Sequence, residues 1–140
     1  MKLEASTVIA RPVATVWEFY AVNDVKNHPR WDSTIELEAT SEEPIGVGTV
    51  IRRRANRGGN ITEGTMEVTE FEPDIAMRVR TQDGPMTING WALLETVADN
   101  ATKLTIGGNI PNLDPSMADV ITQLIQRSAV NIKSLIESET

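Results

Sequence analysis

The chain has 140 residues, 40% of them hydrophobic and 24% charged, with a formal net charge of −7. That length suits one domain over residues 1–140 with a single core, and the acidic balance repels phosphate backbones, so nucleic acid is not an expected partner. Cysteine is absent, which excludes disulfides, thiolate metal sites and a Cys nucleophile.

No apolar run is long enough to cross a bilayer, and residues 1–12 lack the apolar core of a secretory leader; no membrane span and a cytoplasmic location are the default expectations. A β-prone segment from Glu4 to Ile9 opens the chain. Pro12 then suits the first turn of a helix, in which Val13, Val16, Trp17 and Tyr20 share one face. The following link, Asn23 to Pro29, predicts a helical turn or two ending at Pro29, with Trp31 as an anchor beyond it.

From Ser33 to Ile110 the pattern predicts six strands joined by short turns, which requires antiparallel neighbours; with the first segment this makes seven. Gly64, Gly90 and Gly107-Gly108 fall inside strands, where glycine marks bends that let a long sheet curl. Asp114 and Pro115 predict a helix start, and an apolar stripe from Met117 to Ile136 predicts a helix to about Glu137, ~33 Å long at ~1.5 Å per residue.

The charges identify the faces of the sheet. Glu36/Glu38, Arg52/Arg54, Glu63/Glu67 and Arg78/Arg80 alternate in sign from strand to strand, and each pair is evenly spaced. In an antiparallel meander they form facing rows of opposite charge on the solvent side. The opposite parity is then interior: Ile35, Leu37, Ala39; Ile51, Arg53, Ala55; Met66, Val68; Ile75, Met77, Val79. This describes a cupped sheet around a mostly apolar space, suited to an apolar small molecule.

Several segments resemble the START-like or SRPBCC superfamily, and within it the polyketide cyclase/dehydratase and lipid-transport group. They are Ile9 to Trp17, Trp31 after a short link, Pro44 to Thr49 opening a strand, Trp91-Ala92-Leu93, Thr102 to Thr105, and the helix after Asp114. The resemblance covers essentially the whole chain. It implies an α+β helix-grip fold, in which a curved seven-stranded antiparallel sheet wraps a long C-terminal helix, with two short helices between strands 1 and 2. It also implies a pocket for a hydrophobic ligand.

The expected lining starts with Trp31, Ile35, Leu37, Ile51 and Arg53, continues through Met66, Val68, Met77 and Val79, and includes Trp91, Leu93, Leu104 and Ile106 on the last strands. Met117, Ile121, Leu124, Ile125 and Ser128 would close it from the helix. Core packing alone would also account for the tryptophans and methionines.

Two residues are candidates for chemistry. A guanidinium facing an apolar space needs an acidic group, carbonyls or a ligand anion, so Arg53 is assigned to a carboxylate, enolate or phenolate, unless it reaches solvent at a strand end. His28, the sole histidine, is the candidate general base if there is one, while its setting, Asn27 to Arg30, reads as an exposed link. Asp24 and Asp32 flank that link and read as solvated loop residues. With one His and no Cys, multi-histidine zinc sites are excluded, no G-x-S-x-G is present, and no cofactor is expected.

Three functions remain. The first is a binder of a hydrophobic or aromatic small molecule, acting as a monomer or homodimer. The second is a cyclase/dehydratase-like enzyme for a poly-carbonyl substrate, a reading weakened by the absence of Tyr from inward strand positions. The third is an interaction module with a filled core.

Overall fold

Ion pairs across the outer face of the sheet accompany its register. In the computed structural model, which describes residues 1–140, Glu36 lies opposite Arg54 and Glu38 opposite Arg52. Arg54 then faces Glu63, and Glu67 faces Arg80. Carboxylate and guanidinium approach to 3.3 Å for Glu38–Arg52 and 2.6 Å for Glu67–Arg80. A bulge between Val68 and Glu70 shifts the register, so Arg78 meets Glu70 at 3.0 Å. Each exposed pair contributes at most about 1 kcal/mol, but together they disfavour a one-residue slip, which would turn every charge inward.

The strands are β1 (Lys2–Ile9), β2 (Ile35–Ala39), β3 (Val50–Arg57), β4 (Asn60–Glu72), β5 (Ala76–Asp83), β6 (Met86–Ala98) and β7 (Ala101–Asn109). They form one antiparallel sheet in the order β1-β7-β6-β5-β4-β3-β2. Sharp curling needs glycine where backbones crowd. A Cβ on Gly64 would lie 1.5 Å from the carbonyl oxygen of Gln82, so no side chain fits there without opening the β4–β5 pairing.

Between β1 and β2 lie α1 (Val13–Trp17), which runs into a π-helical turn over Glu18–Val22, and α2 (Asp24–Trp31). The spacing places a stop at Pro29, and here the structure differs, because α2 continues through Pro29 to Trp31. An interior proline removes its own N–H from the ladder and crowds the carbonyl four residues back, a cost that contacts beyond it must offset. The last turn is held by the Asp32 N–H donating to the His28 carbonyl at 3.1 Å and by the buried Trp31 indole. Ile75, expected inside, is instead exposed in the turn between β4 and β5, and Ala39 is exposed at the end of β2.

At the last helix the Asp114 carboxylate accepts the Ser116 N–H at 3.0 Å, which lowers its pKa below the usual carboxylate value. Pro115–Met117 form a 3-10 turn, and α3 (Ala118–Glu139) follows. The C-terminal half of α3 is anchored. Ala129, Ile132 and Ile136 enter a core with Ile9, Val16, Trp17 and Leu104. Glu137 accepts the Ala10 N–H at 2.8 Å and the Lys133 ammonium at 2.6 Å, contacts that hold its pKa low. The N-terminal half carries Val120 and Leu124, with Met117 just before it, all exposed, over the hollow of the sheet. No helix is long and apolar enough to cross a membrane.

Candidate functional site

Because α3 is packed at one end and raised at the other, an open cavity of about 770 Å³ lies between it and the sheet. Met66, Met77, Val79 and Ile106 supply its apolar floor, and Met117, Ile121, Leu124, Ile125 and Ser128 its roof. Gly90 and Gly108, paired across β6 and β7, face inward and add backbone rather than side-chain volume.

Not every expected lining residue reaches this space. Ile35, Ile51, Val68 and Leu104 point inward, but neighbouring side chains close over them completely. Leu37 borders a separate shallow groove at the β2 edge. Leu93 and Trp91 share the outer parity of Glu95, because the inward residues of β6 are Gly90, Ala92 and Leu94. The Trp91 indole N–H donates to Glu4 Oε2 at 2.6 Å, and Lys2 and Arg78 lie 5.6 and 5.7 Å from its ring. Trp91 thus borders the cavity, as expected, while its indole ring lies on the outer surface.

Arg53 does face inward, and it has a partner within the chain. Its Nε donates to Asp83 Oδ1 at 2.8 Å, Nη1 approaches Met66 Sδ at 3.8 Å, and both charged side chains are buried. Arg57 Nη1 stands 3.8 Å from the other Asp83 oxygen. Two guanidiniums around one carboxylate leave a positive excess, but Arg53 is not the free anion-binding group expected from the sequence. Asp83 extends the inward series Met77, Val79, Thr81, although it reads as a turn residue beside Gly84-Pro85.

The helical wall is more polar than expected. Tyr20, Asp24, His28 and Trp31 all border the cavity. The π turn, in which the Asn23 N–H donates to the Glu18 carbonyl at 3.0 Å, inserts an extra residue ahead of Asp24; such turns recur at functional sites. Tyr20 and His28 lie nearly parallel to the Trp31 indole, at 5.0 and 4.9 Å between ring centres. Burial, with a smaller contribution from Asp24, raises the Tyr20 phenol pKa above its ordinary value. Asp24 is only 2% exposed rather than solvated, and its Oδ1 lies 3.4 Å from His28 Nδ1. Neither Asp24 Oδ2 nor His28 Nδ1 has a hydrogen-bond partner. No three His, Asp or Glu side chains converge on a common point that would hold a metal ion.

A family model described as polyketide cyclase/dehydrase and lipid transport matches residues 1–137. The chain belongs to this family. Solved structures of similar fold include a START superfamily protein from Mycobacterium smegmatis, with a TM-score of 0.80, 13% identity and 99% of each chain covered. The Zhui aromatase/cyclase from a Streptomyces species aligns with a TM-score of 0.72 and 16% identity, over 98% of this chain and 93% of its own. A protein from Thermus thermophilus gives 0.77 and 14%, over 100% and 99%. Curated proteins give no match. At such identities these neighbours establish the helix-grip architecture, while membership in the polyketide cyclase/dehydrase and lipid-transport family comes from the family model.

Proposed function

We propose that this chain binds one hydrophobic, ring-containing small molecule between the curved sheet and α3. The observation that carries the reading is the cavity itself: about 770 Å³, an apolar floor and roof, and a few polar side chains on two walls. That size and composition are typical of small-molecule sites. In this reading residues 1–140 act as one ligand-binding domain in the cytoplasm, as a monomer or homodimer and without a cofactor. An environment-sensitive apolar dye should bind at a one-to-one ratio, with saturable blue-shifted fluorescence while near-ultraviolet circular dichroism remains native. Failure of every apolar probe to bind would remove the proposal.

The second reading, proton transfer on a poly-carbonyl substrate, is favoured by the buried Asp24 beside His28. His28 would take a proton from the carbon between two carbonyls, and the Arg53–Arg57 group would face the resulting enolate. If so, His28→Ala should lower kcat by about a hundredfold or more, the usual scale for a lost general base. Unchanged turnover in a folded His28→Ala protein would eliminate His28 from that role.

A further inference from the structure

We propose that the exposed face of the N-terminal half of α3 is a self-association surface, on which a second copy of this chain packs antiparallel about a two-fold at Gln123, with an Asp119–Arg127 pair on either side. The inference is independent of which molecule fills the cavity.

Only the second half of α3 is anchored in the core, through Ala129, Ile132 and Ile136. In the first half Val120, Gln123, Leu124 and Arg127 recur at i, i+3, i+4 and i+7, so they form one stripe, and all four are exposed. Val120 is 50% exposed and Leu124 42%, and Met117, at 44%, continues the stripe toward the helix start. Exposed apolar side chains gathered on one face, unlike single ones, mark contact surfaces. Charge around them is sparse. From Pro115 to Ile132 only Asp119 and Arg127 are charged, in a chain that is 24% charged overall. Neither joins an ion pair within the chain.

Charge selects a second copy as the occupant. A net charge of −7 makes two copies repel in most orientations, so they approach best through a face whose local charges cancel. Asp119 flanks the stripe eight residues before Arg127, ~12 Å along the axis, too far for the two to pair on one helix. Antiparallel docking with Gln123 on the two-fold brings Asp119 of each copy level with Arg127 of the other, which makes two pairs of opposite charge. It also sets Leu124 within ~3 Å, along the axis, of Val120 and Leu124 of the other copy, so the apolar side chains interlock. Parallel docking in register would instead oppose Asp119 to Asp119 and Arg127 to Arg127. A two-fold contact must be self-complementary, and this stripe meets that condition in both charge and apolar content. The same contact takes Met117 and Leu124, which border the cavity, out of water.

Sedimentation equilibrium of the whole chain tests this separately from dye binding. One helix per copy makes a contact at the small end of specific interfaces, so half-association is expected at about 10–100 µM. With rising concentration the wild type should climb from 15.4 kDa toward twice that mass. Asp119→Arg and Arg127→Asp should each weaken association at least about tenfold, because either reversal sets like charges together at both symmetric pairs. An equimolar mixture of the two variants should recover it, since one copy then offers two cations and the other two anions. A second measurement uses the absence of cysteine. Gln123→Cys puts its thiol on the two-fold and should give a disulfide-linked dimer with oxidised glutathione, whereas Gln126→Cys, exposed on the same helix but away from the two-fold, should not. A wild type that stays at 15.4 kDa would overturn the proposal, and cosedimentation with phosphatidylcholine vesicles would then assign the face to a bilayer. Association unaffected by either reversal, a mixture no tighter than the single variants, or equal cross-linking at both cysteine positions would overturn it as well.

Discussion

Arg53→Met is expected to destabilise the fold by about 3 kcal/mol, because it strands the Asp83 carboxylate in the interior. Asp83 is 3% exposed and its one close donor is Arg53 Nε at 2.8 Å. Arg57, at 3.8 Å and half exposed, can recover part of the lost interaction, which places the cost at the lower end of the usual range for a broken buried pair. For a chain of this length the loss corresponds to a fall of about 10 °C in melting temperature. The double variant Arg53→Met/Asp83→Leu removes both charges and should recover most of the stability, since apolar replacements of a buried pair are often neutral or better. Thermal melts of the four proteins in this cycle measure the coupling directly. Additive losses would mean that the pair is not a unit and that Arg53 is satisfied by another group.

The coupling also bears on function. A guanidinium already bonded to Asp83 offers a ligand only its remaining N–H groups and the partial positive excess shared with Arg57. Arg53 is therefore better suited to a polar oxygen than to carrying the whole recognition of an anion.

The sheet was legible because its outer charges alternate by strand, and only one antiparallel register lets Glu36, Arg54 and Glu63 neighbour one another. The same logic applies to β6, where Glu95 shares a parity with Trp91 and Leu93 and so assigns both to the outer face. Hydrophobicity misleads there, because Trp91 to Leu94 is apolar at both parities and the outer tryptophan is accommodated by Glu4, Lys2 and Arg78. Asp24 and Asp83 were missed for a related reason. Aspartate beside Asn, Gly or Pro is ordinarily a solvated turn residue, and burial here depends on tertiary partners that no local pattern encodes. Tyr20 was legible as a core-facing residue of the first helix, but its access to the cavity depends on the π turn and on the distant placement of Trp31.

Gly90→Phe is expected to weaken dye binding at least about tenfold without loss of stability. Gly90 is surrounded on the cavity floor by Ile88 and Ala92 along its own strand and by Val79 and Gly108 on the flanking strands. A Cβ there meets Val79 Cγ2 at 3.4 Å and the Gly107 carbonyl at 3.5 Å, ordinary contacts that require no backbone adjustment. The added ring must project into the cavity, since the register gives Gly90 the inward parity of Val79 and Gly108. Strand glycine is itself unfavourable by about 0.5–1 kcal/mol, and an aromatic residue favours extended backbone, so the melting temperature should hold or rise. Asn89→Phe is the control, because Asn89 is exposed on the outer face and the same ring there leaves the cavity untouched. Gly90→Phe with undiminished affinity, measured beside a normal Asn89→Phe, would place the bound molecule outside the hollow of the sheet and remove the cavity from the function.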